Sequence, residues 1–160
     1  LESIEEKNKL IEEVGALLQE RANLSALAAR IYATLILSSN EGLSFDDIIN
    51  QMQASKSSVS SNLNVLLQLH YVEYYTKPGN RKRYFRTSEF YIKNTMEQQI
   101  YLIEKELSVV SKINNFNQNH NPEKFKNEKS LGLLFHEHLE DLKNKINGKL
   151  EEIKQFQKQL

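Results

Sequence analysis

A chain of 160 residues, 39% hydrophobic and 26% charged, has the composition of ordinary soluble proteins and not of disordered ones; its length allows one moderate core, or a small core plus helices that need a partner. It has no cysteine, which excludes disulfides, thiolate zinc sites and cysteine nucleophiles, and no apolar run approaches the roughly 20 residues a membrane-spanning helix requires. Lys and Arg (21) balance Asp and Glu (21), which alone argues against a nucleic-acid partner, but six basic residues meet only one acidic residue, Glu73, between Lys56 and Arg86. The chain begins at Leu1, so a short natural start is expected to be missing.

The first expected helix is amphipathic, with Ile4, Leu10, Ile11, Val14, Leu17 and Leu18 recurring at helical spacing among Glu and Lys. A second, from about Leu24 or Ser25 to about Ser38, presents a broad apolar face of Leu27, Ala28, Ile31, Tyr32, Leu35 and Ile36, with Arg30 across from it and within reach of solvent or a phosphate. Asn40-Glu41-Gly42 stops this helix, Gly42 being able to take positive φ. Ser44 and Asp47 have the spacing of a capping box, which opens a short third helix whose core side is Phe45, Ile48, Ile49 and Met52.

Gln53-Ala54-Ser55 is a tight polar link, after which Val59, Leu63, Leu66 and Leu67 line one side of a fourth helix. The opposite side holds Ser57, Ser58, Ser61, Asn62 and Asn64, all short and uncharged. A structural surface helix usually carries longer charged residues there, and serine is a poor helix former. Short hydroxyl and amide groups allow close approach to groove walls while donating and accepting at base edges and phosphates. Next comes a β-hairpin in which Val72, Tyr74, Tyr84 and Arg86 alternate with β-favouring partners and Pro78-Gly79-Asn80 reverses the chain. Arg81, Lys82 and Arg83 fall at or beside its tip, where guanidinium forks suit phosphates or a minor groove. The hairpin tyrosines are expected to pack across strands.

Thr87-Ser88-Glu89 starts a long helix, marked by Phe90, Met96, Ile100, Ile103 and Leu107, to about Ile113. A polar break from Asn114 to Asn121, with Pro122 near its end, reads as a linker or loose turn. From Leu131 onward Phe135, Leu139, Leu142, Ile146, Ile153, Phe156 and Leu160 form a coiled-coil-like seam, interrupted at Lys149. A stripe this apolar needs something to lie against. Self-association through Leu139, Leu142, Ile146 and Ile153 is the economical answer, and an antiparallel pairing within one chain is the alternative.

Catalytic groups are thin. His136 and His138, one residue apart, do not share a helical face, and His70 and His120 read as exposed or satisfied rings; Glu137, Glu140 and Asp141 add only a weak metal constellation beside His136. Phosphate-loop, dinucleotide and zinc-protease motifs are missing, so no catalytic residue, metal or cofactor is assigned and no enzyme class has an anchor.

The expected fold is therefore mostly α with a small β-hairpin wing: a winged helix-turn-helix over 24–87, an N-terminal dimerisation helix over 1–23, and long helices with a linker over 88–160 that also dimerise. The DNA-binding residues are expected to be Lys56, Ser57, Ser58, Ser60, Ser61, Asn62 and Asn64 on the helix and Arg81, Lys82 and Arg83 on the wing. The expected partners are double-stranded DNA and a second copy, in the cytoplasm and without a membrane. Tyr91, Tyr101, Phe116, Phe125 and Phe135 are candidates for an aromatic cage holding a quaternary ammonium effector. The competing reading is a winged-helix protein-interaction module without sequence-specific DNA binding.

Four blocks carry a resemblance: Ile31-Tyr32-Ala33-Thr34-Leu35-Ile36-Leu37-Ser38, Leu43-Ser44-Phe45-Asp46-Asp47-Ile48, Ser55-Lys56-Ser57-Ser58-Val59-Ser60 and Pro78-Gly79-Asn80-Arg81-Lys82-Arg83-Tyr84-Phe85. In this order they resemble the GbsR-type branch of the MarR-like winged-helix transcriptional regulators, over roughly Ala29 to Arg86. The resemblance implies a homodimeric DNA-binding regulator, often a repressor of osmoprotectant genes and in some members a choline sensor. It aligns Ser57, Ser58, Ser60, Ser61 and Asn62 with recognition-helix positions and Arg81, Lys82 and Arg83 with the wing.

Overall fold

The computed structural model describes residues 2–89 and 91–159; the apolar positions expected at Phe90 and Leu160 lie outside them. The chain divides into two compact units, the first ending at Tyr91 and the second beginning at Ile92. Against the expected segments 1–23, 24–87 and 88–160, the N-terminal helix α1 (Glu2–Ala22) packs in the first unit, because its Leu18 enters the same core as α2 (Ala26–Ile36).

Local chemistry sets the element boundaries of the first unit. Ser25 caps α2 by accepting the Ala28 N–H at 3.1 Å. Ser44 caps α3 (Phe45–Met52) through the expected capping box: its Oγ accepts from the Asp47 N–H at 3.2 Å and the Asp47 carboxylate accepts from the Ser44 N–H at 3.1 Å. The bonds from Ser44 hold the Asp47 carboxyl below its ordinary pKa. Ser55 caps α4 (Lys56–Gln68), which ends with His70 at φ 59°, the Tyr71 N–H bonding the Leu66 carbonyl at 2.9 Å and the His70 N–H that of Leu67 at 3.1 Å. Those two bonds close the last turn as a Schellman motif, with His70 where glycine is usual.

The hairpin is β2 (Val72–Thr76) paired antiparallel with β3 (Arg83–Thr87), and the sequence reading missed a third strand, β1 (Leu43–Ser44), which pairs with β3 to give the order β1-β3-β2. Two residues carry no readable alternation, and the determinant is Gly42. At φ 68° it brings the backbone so close to β3 that a Cβ there would overlap the Phe85 carbonyl.

Buried Ile31, Tyr32, Leu35, Ile48, Val59, Leu63, Leu66, Val72 and Phe85 form one core, with partly buried neighbours from α1, α2, β1, α3 and α4. Each large aliphatic side chain among them contributes roughly 1.5–3 kcal/mol. Ala28 through Leu35 are buried apart from Arg30, so α2 is enclosed nearly all round and not along the single face expected. Arg30, half-buried, keeps part of its side chain in solvent, with its Nε 3.0 Å from the exposed Glu12 carboxylate. Tyr32, Tyr71 and Tyr91 pack edge-on and tilted, with ring centroids 4.8–5.2 Å apart, and burial lifts the Tyr32 phenol far above its ordinary pKa.

The second unit is a helical hairpin. α5 (Tyr91–His120) runs through the stretch expected to break it: Asn114 is buried in the helix and its Nδ2 donates to the Gly132 carbonyl at 3.0 Å, while Asn117 Oδ1 accepts from Asn121 Nδ2 at 2.8 Å. Asparagine's weak helix propensity is outweighed by these tertiary and local bonds. A 3₁₀ turn (Pro122–Lys124) follows, then a tight hairpin in which Lys126 and Lys129 exchange backbone bonds around Asn127 and Glu128, both at positive φ as a type I′ turn requires.

α6 (Leu131–Gln157) returns antiparallel along α5. His136 Nε2 meets Ser111 Oγ at 3.0 Å, Lys143 meets Glu104 at 3.1 Å, and Leu139 and Ile146 pack with Ile103, Leu107 and Val110. Leu139 and Ile146, expected on an open dimerisation seam, are thus largely covered by their own chain. Leu142 stays exposed and Ile153 half-buried. Among the described residues no helix is long and apolar enough to cross a membrane.

Candidate nucleic-acid interface

On α4 the apolar side is fixed by Val59, Leu63 and Leu66, all buried, which turns Lys56, Ser57, Ser58, Ser60, Ser61 and Asn64 outward, where they are exposed. Three hydroxyls cluster at the helix start: Ser55 Oγ bonds Ser58 Oγ at 2.8 Å and meets Ser57 Oγ at 3.2 Å, besides accepting the Ser58 N–H. Asn62 differs from its expected role as a free reader. Its Oδ1 accepts from Ser25 Oγ at 2.5 Å and its Nδ2 donates to the Ser58 carbonyl at 2.8 Å, so it ties α4 to the start of α2. Val65 and Gln68 are exposed one and two turns beyond Ser61 and were not singled out from sequence. Their displacement from the 59-63-66 stripe was the available clue.

The hairpin loop spans 77–82, turned by Gly79 at φ 76°, by a bond from the Asn80 N–H to the Lys77 carbonyl at 3.0 Å and by one from the Lys82 N–H to Asn80 Oδ1 at 2.9 Å. Arg81 and Lys82 lie in this loop; Arg83 is the first residue of β3, opposite Thr76, its guanidinium 5.7 Å from the Tyr74 ring.

The cations of this region are not equivalent. Lys77 Nζ donates to Glu41 Oε2 at 2.6 Å and lies 4.5 Å from the Tyr84 ring centre, while the Tyr75 hydroxyl donates to the Glu41 carbonyl at 2.8 Å. That pairing draws the Glu41 carboxyl down and the Lys77 ammonium up from their ordinary pKa values. Lys82 Nζ is 3.6 Å from Asp46, and Arg86 bonds Glu73 at 2.7 Å across the base of the hairpin. Among the described residues Lys56, Arg81 and Arg83 have no carboxylate partner.

The aromatic residues proposed as a cage are dispersed. Tyr91 belongs to the tyrosine cluster of the first unit; in the second, Tyr101 lies under Lys105, Phe116 stacks on His120 and Phe135 on His138. Phe125 lines a mostly apolar recess of about 550 Å³ with Ile113, Asn117, Leu131 and Gly132. The His136 ring is engaged by Ser111, and among the described residues no three His, Asp or Glu side chains group in a way that would hold a metal ion.

No family model matches the chain. It is 28% identical over 78 residues to the HTH-type transcriptional regulator MmpR5 of Mycobacterium tuberculosis, an alignment covering 49% of this chain and 47% of that protein, so the chain spans about half the length of the curated relative it matches. Among solved structures, one described as a transcriptional regulator superposes over 94% of both chains with a TM-score of 0.52 at 17% identity. A weaker likeness, with a TM-score of 0.43 at 17% identity over 73% of this chain and 90% of that one, is to MepR of S. aureus in complex with DNA. Among the described residues, six α-helices and a three-stranded antiparallel sheet make up a winged-helix fold, which the solved structure described as a transcriptional regulator shares.

Proposed function

We propose that this protein is a homodimeric, sequence-specific regulator of transcription that sets α4 in the major groove of double-stranded DNA and lays the β2–β3 loop along the phosphates. The observation that carries the reading is the make-up of the exposed side of α4: Ser57, Ser58, Ser60, Ser61 and Asn64 are short, uncharged and solvent-facing, next to the free cation Lys56. The wing adds two unpaired guanidinium groups, Arg81 and Arg83. Similarity to the mycobacterial regulator supports the same reading.

Dimerisation is supported by exposed apolar side chains on all three long helices: Leu10 and Leu17 on α1, Leu102, Val109 and Phe116 on α5, and Leu134, Phe135 and Leu142 on α6. Leu102, Val109 and Phe116 recur every seven residues, the period of a helix seam. The order of the four blocks between Ile31 and Phe85 supports the GbsR-type branch, and with it a cytoplasmic repressor of osmoprotectant genes.

Selection of bound sites from a random duplex pool with the purified protein tests the proposal. Enrichment of a two-fold-related motif is expected, and Ser61→Ala or Asn64→Ala is expected to relax discrimination between sites while leaving binding to random duplex nearly unchanged. Failure to bind any duplex at low salt would favour a winged-helix module that docks onto another protein.

A further inference from the structure

Two of the three carboxylates that hold cations in this region come from outside the hairpin. Glu41 lies in the turn between α2 and β1, and Asp46 opens α3, yet they reach Lys77 and Lys82 at the two ends of the 77–82 loop. Both acids are exposed, so neither pair offsets a buried charge, and exposed pairs of this kind add little to stability. An exposed carboxylate 2.6 Å from a lysine in a phosphate-facing loop occupies the place a phosphate oxygen would take. The Lys77 site is also built: the Tyr84 ring lies beneath the ammonium, and the Tyr75 hydroxyl fixes the backbone of Glu41.

We propose that Glu41, with Asp46 as a weaker second, is a specificity-determining residue that acts as an internal phosphate competitor. By holding Lys77 it withdraws that cation from the DNA backbone and lowers affinity for random duplex, so that discrimination rests on α4 and on Arg81 and Arg83. Sequence-independent affinity scales with the number of phosphates neutralised, and each one withdrawn flattens the salt dependence of log K by roughly 0.9. The inference rests on the DNA-binding reading above.

The test is a double-mutant cycle in the full chain on random duplex, titrated between 50 and 200 mM salt, with wild type, Glu41→Gln, Lys77→Ala and the double variant. Glu41→Gln is expected to tighten binding at low salt and to steepen the slope by roughly 0.9, a further fall of about threefold in affinity across that salt range. In the Lys77→Ala background the same change is expected to leave the slope unaltered. Steepening of equal size in both backgrounds would mean that only a bulk negative charge had been removed, and weaker binding by Glu41→Gln would mean that Glu41 positions the wing; either result overturns the proposal. Asp46→Asn is expected to act in the same direction with a smaller effect. If wild-type protein binds no duplex, the DNA-binding reading itself fails, which this cycle separates from failure of the competitor.

Discussion

The two units bury apolar surface to very different extents. In the first, α1, α2, α3, α4, β2 and β3 all deliver buried side chains to one core, whereas in the second the buried cluster is Ile103, Leu107 and Leu139. The second unit leaves Leu102, Val109, Ile113, Phe116, Leu131 and Leu134 exposed instead. The first encloses its helices around a shared core; the second exposes apolar stripes of the kind the proposed second copy would cover.

This contrast sets the largest expected effect. Tyr32→Ala removes the centre of the tyrosine cluster in a fully packed site and is expected to cost about 3–5 kcal/mol of folding stability, measured by denaturant unfolding; Leu102→Ala in dilute monomer is expected to cost almost nothing. Equal losses would erase the distinction between the units. Next in size is association: Leu102→Glu and Leu142→Glu are expected to shift sedimentation from dimer to monomer while helical content is kept. Retention of the dimer by both variants would mean that these stripes do not carry the contact.

Within the second unit, the thin apolar seam makes its polar lock important. A methyl group at Gly132 would collide with the Asn114 amide, so Gly132→Ala is expected to expel that side chain and cost about 1–3 kcal/mol, with the loss read by hydrogen exchange in α5 and α6. Gly148, in the same helix with open space around it, is the control: Gly148→Ala is expected to stabilise the helix.

The smallest effect is on pH dependence in the first unit. Asp47 has its carboxyl depressed by bonds from Ser44, so its contribution is present above the ordinary carboxylate pKa and lost as pH falls through the depressed folded value. Asp47→Asn is expected to flatten the acid limb of the stability profile; an unchanged limb would show that the capping box contributes no pH dependence.

Legibility in the sequence followed the same division. The helices of the first unit were readable because periodicity, capping chemistry at Ser44 and turn chemistry at Gly42 agreed with one another. β1 was not, since two residues show no alternation and their pairing depends on Phe85 far along the chain. In the second unit the polar run from Asn114 to Asn121 looks like a break because composition is its only local signal; the Gly132 carbonyl that Asn114 bonds, within the part that stays helical, lies in the next helix. The candidate interface was legible as residue types, since Ser57, Ser58, Ser61 and Asn64 face outward as spacing required. Which cations remain free was not legible, because Glu41 and Asp46 reach the wing only through the fold, and Asn62 is held by Ser25 in the same way.

The central claim is that this first unit meets duplex DNA through its unpaired wing cations, and salt titration of duplex binding by wild type and by the Arg81→Ala/Arg83→Ala variant tests it most directly. A slope of log K against log salt that becomes shallower by roughly 1.8 in the variant, with weaker binding to selected and random duplex alike, is the predicted result. Identical affinities and slopes for the two proteins would contradict it.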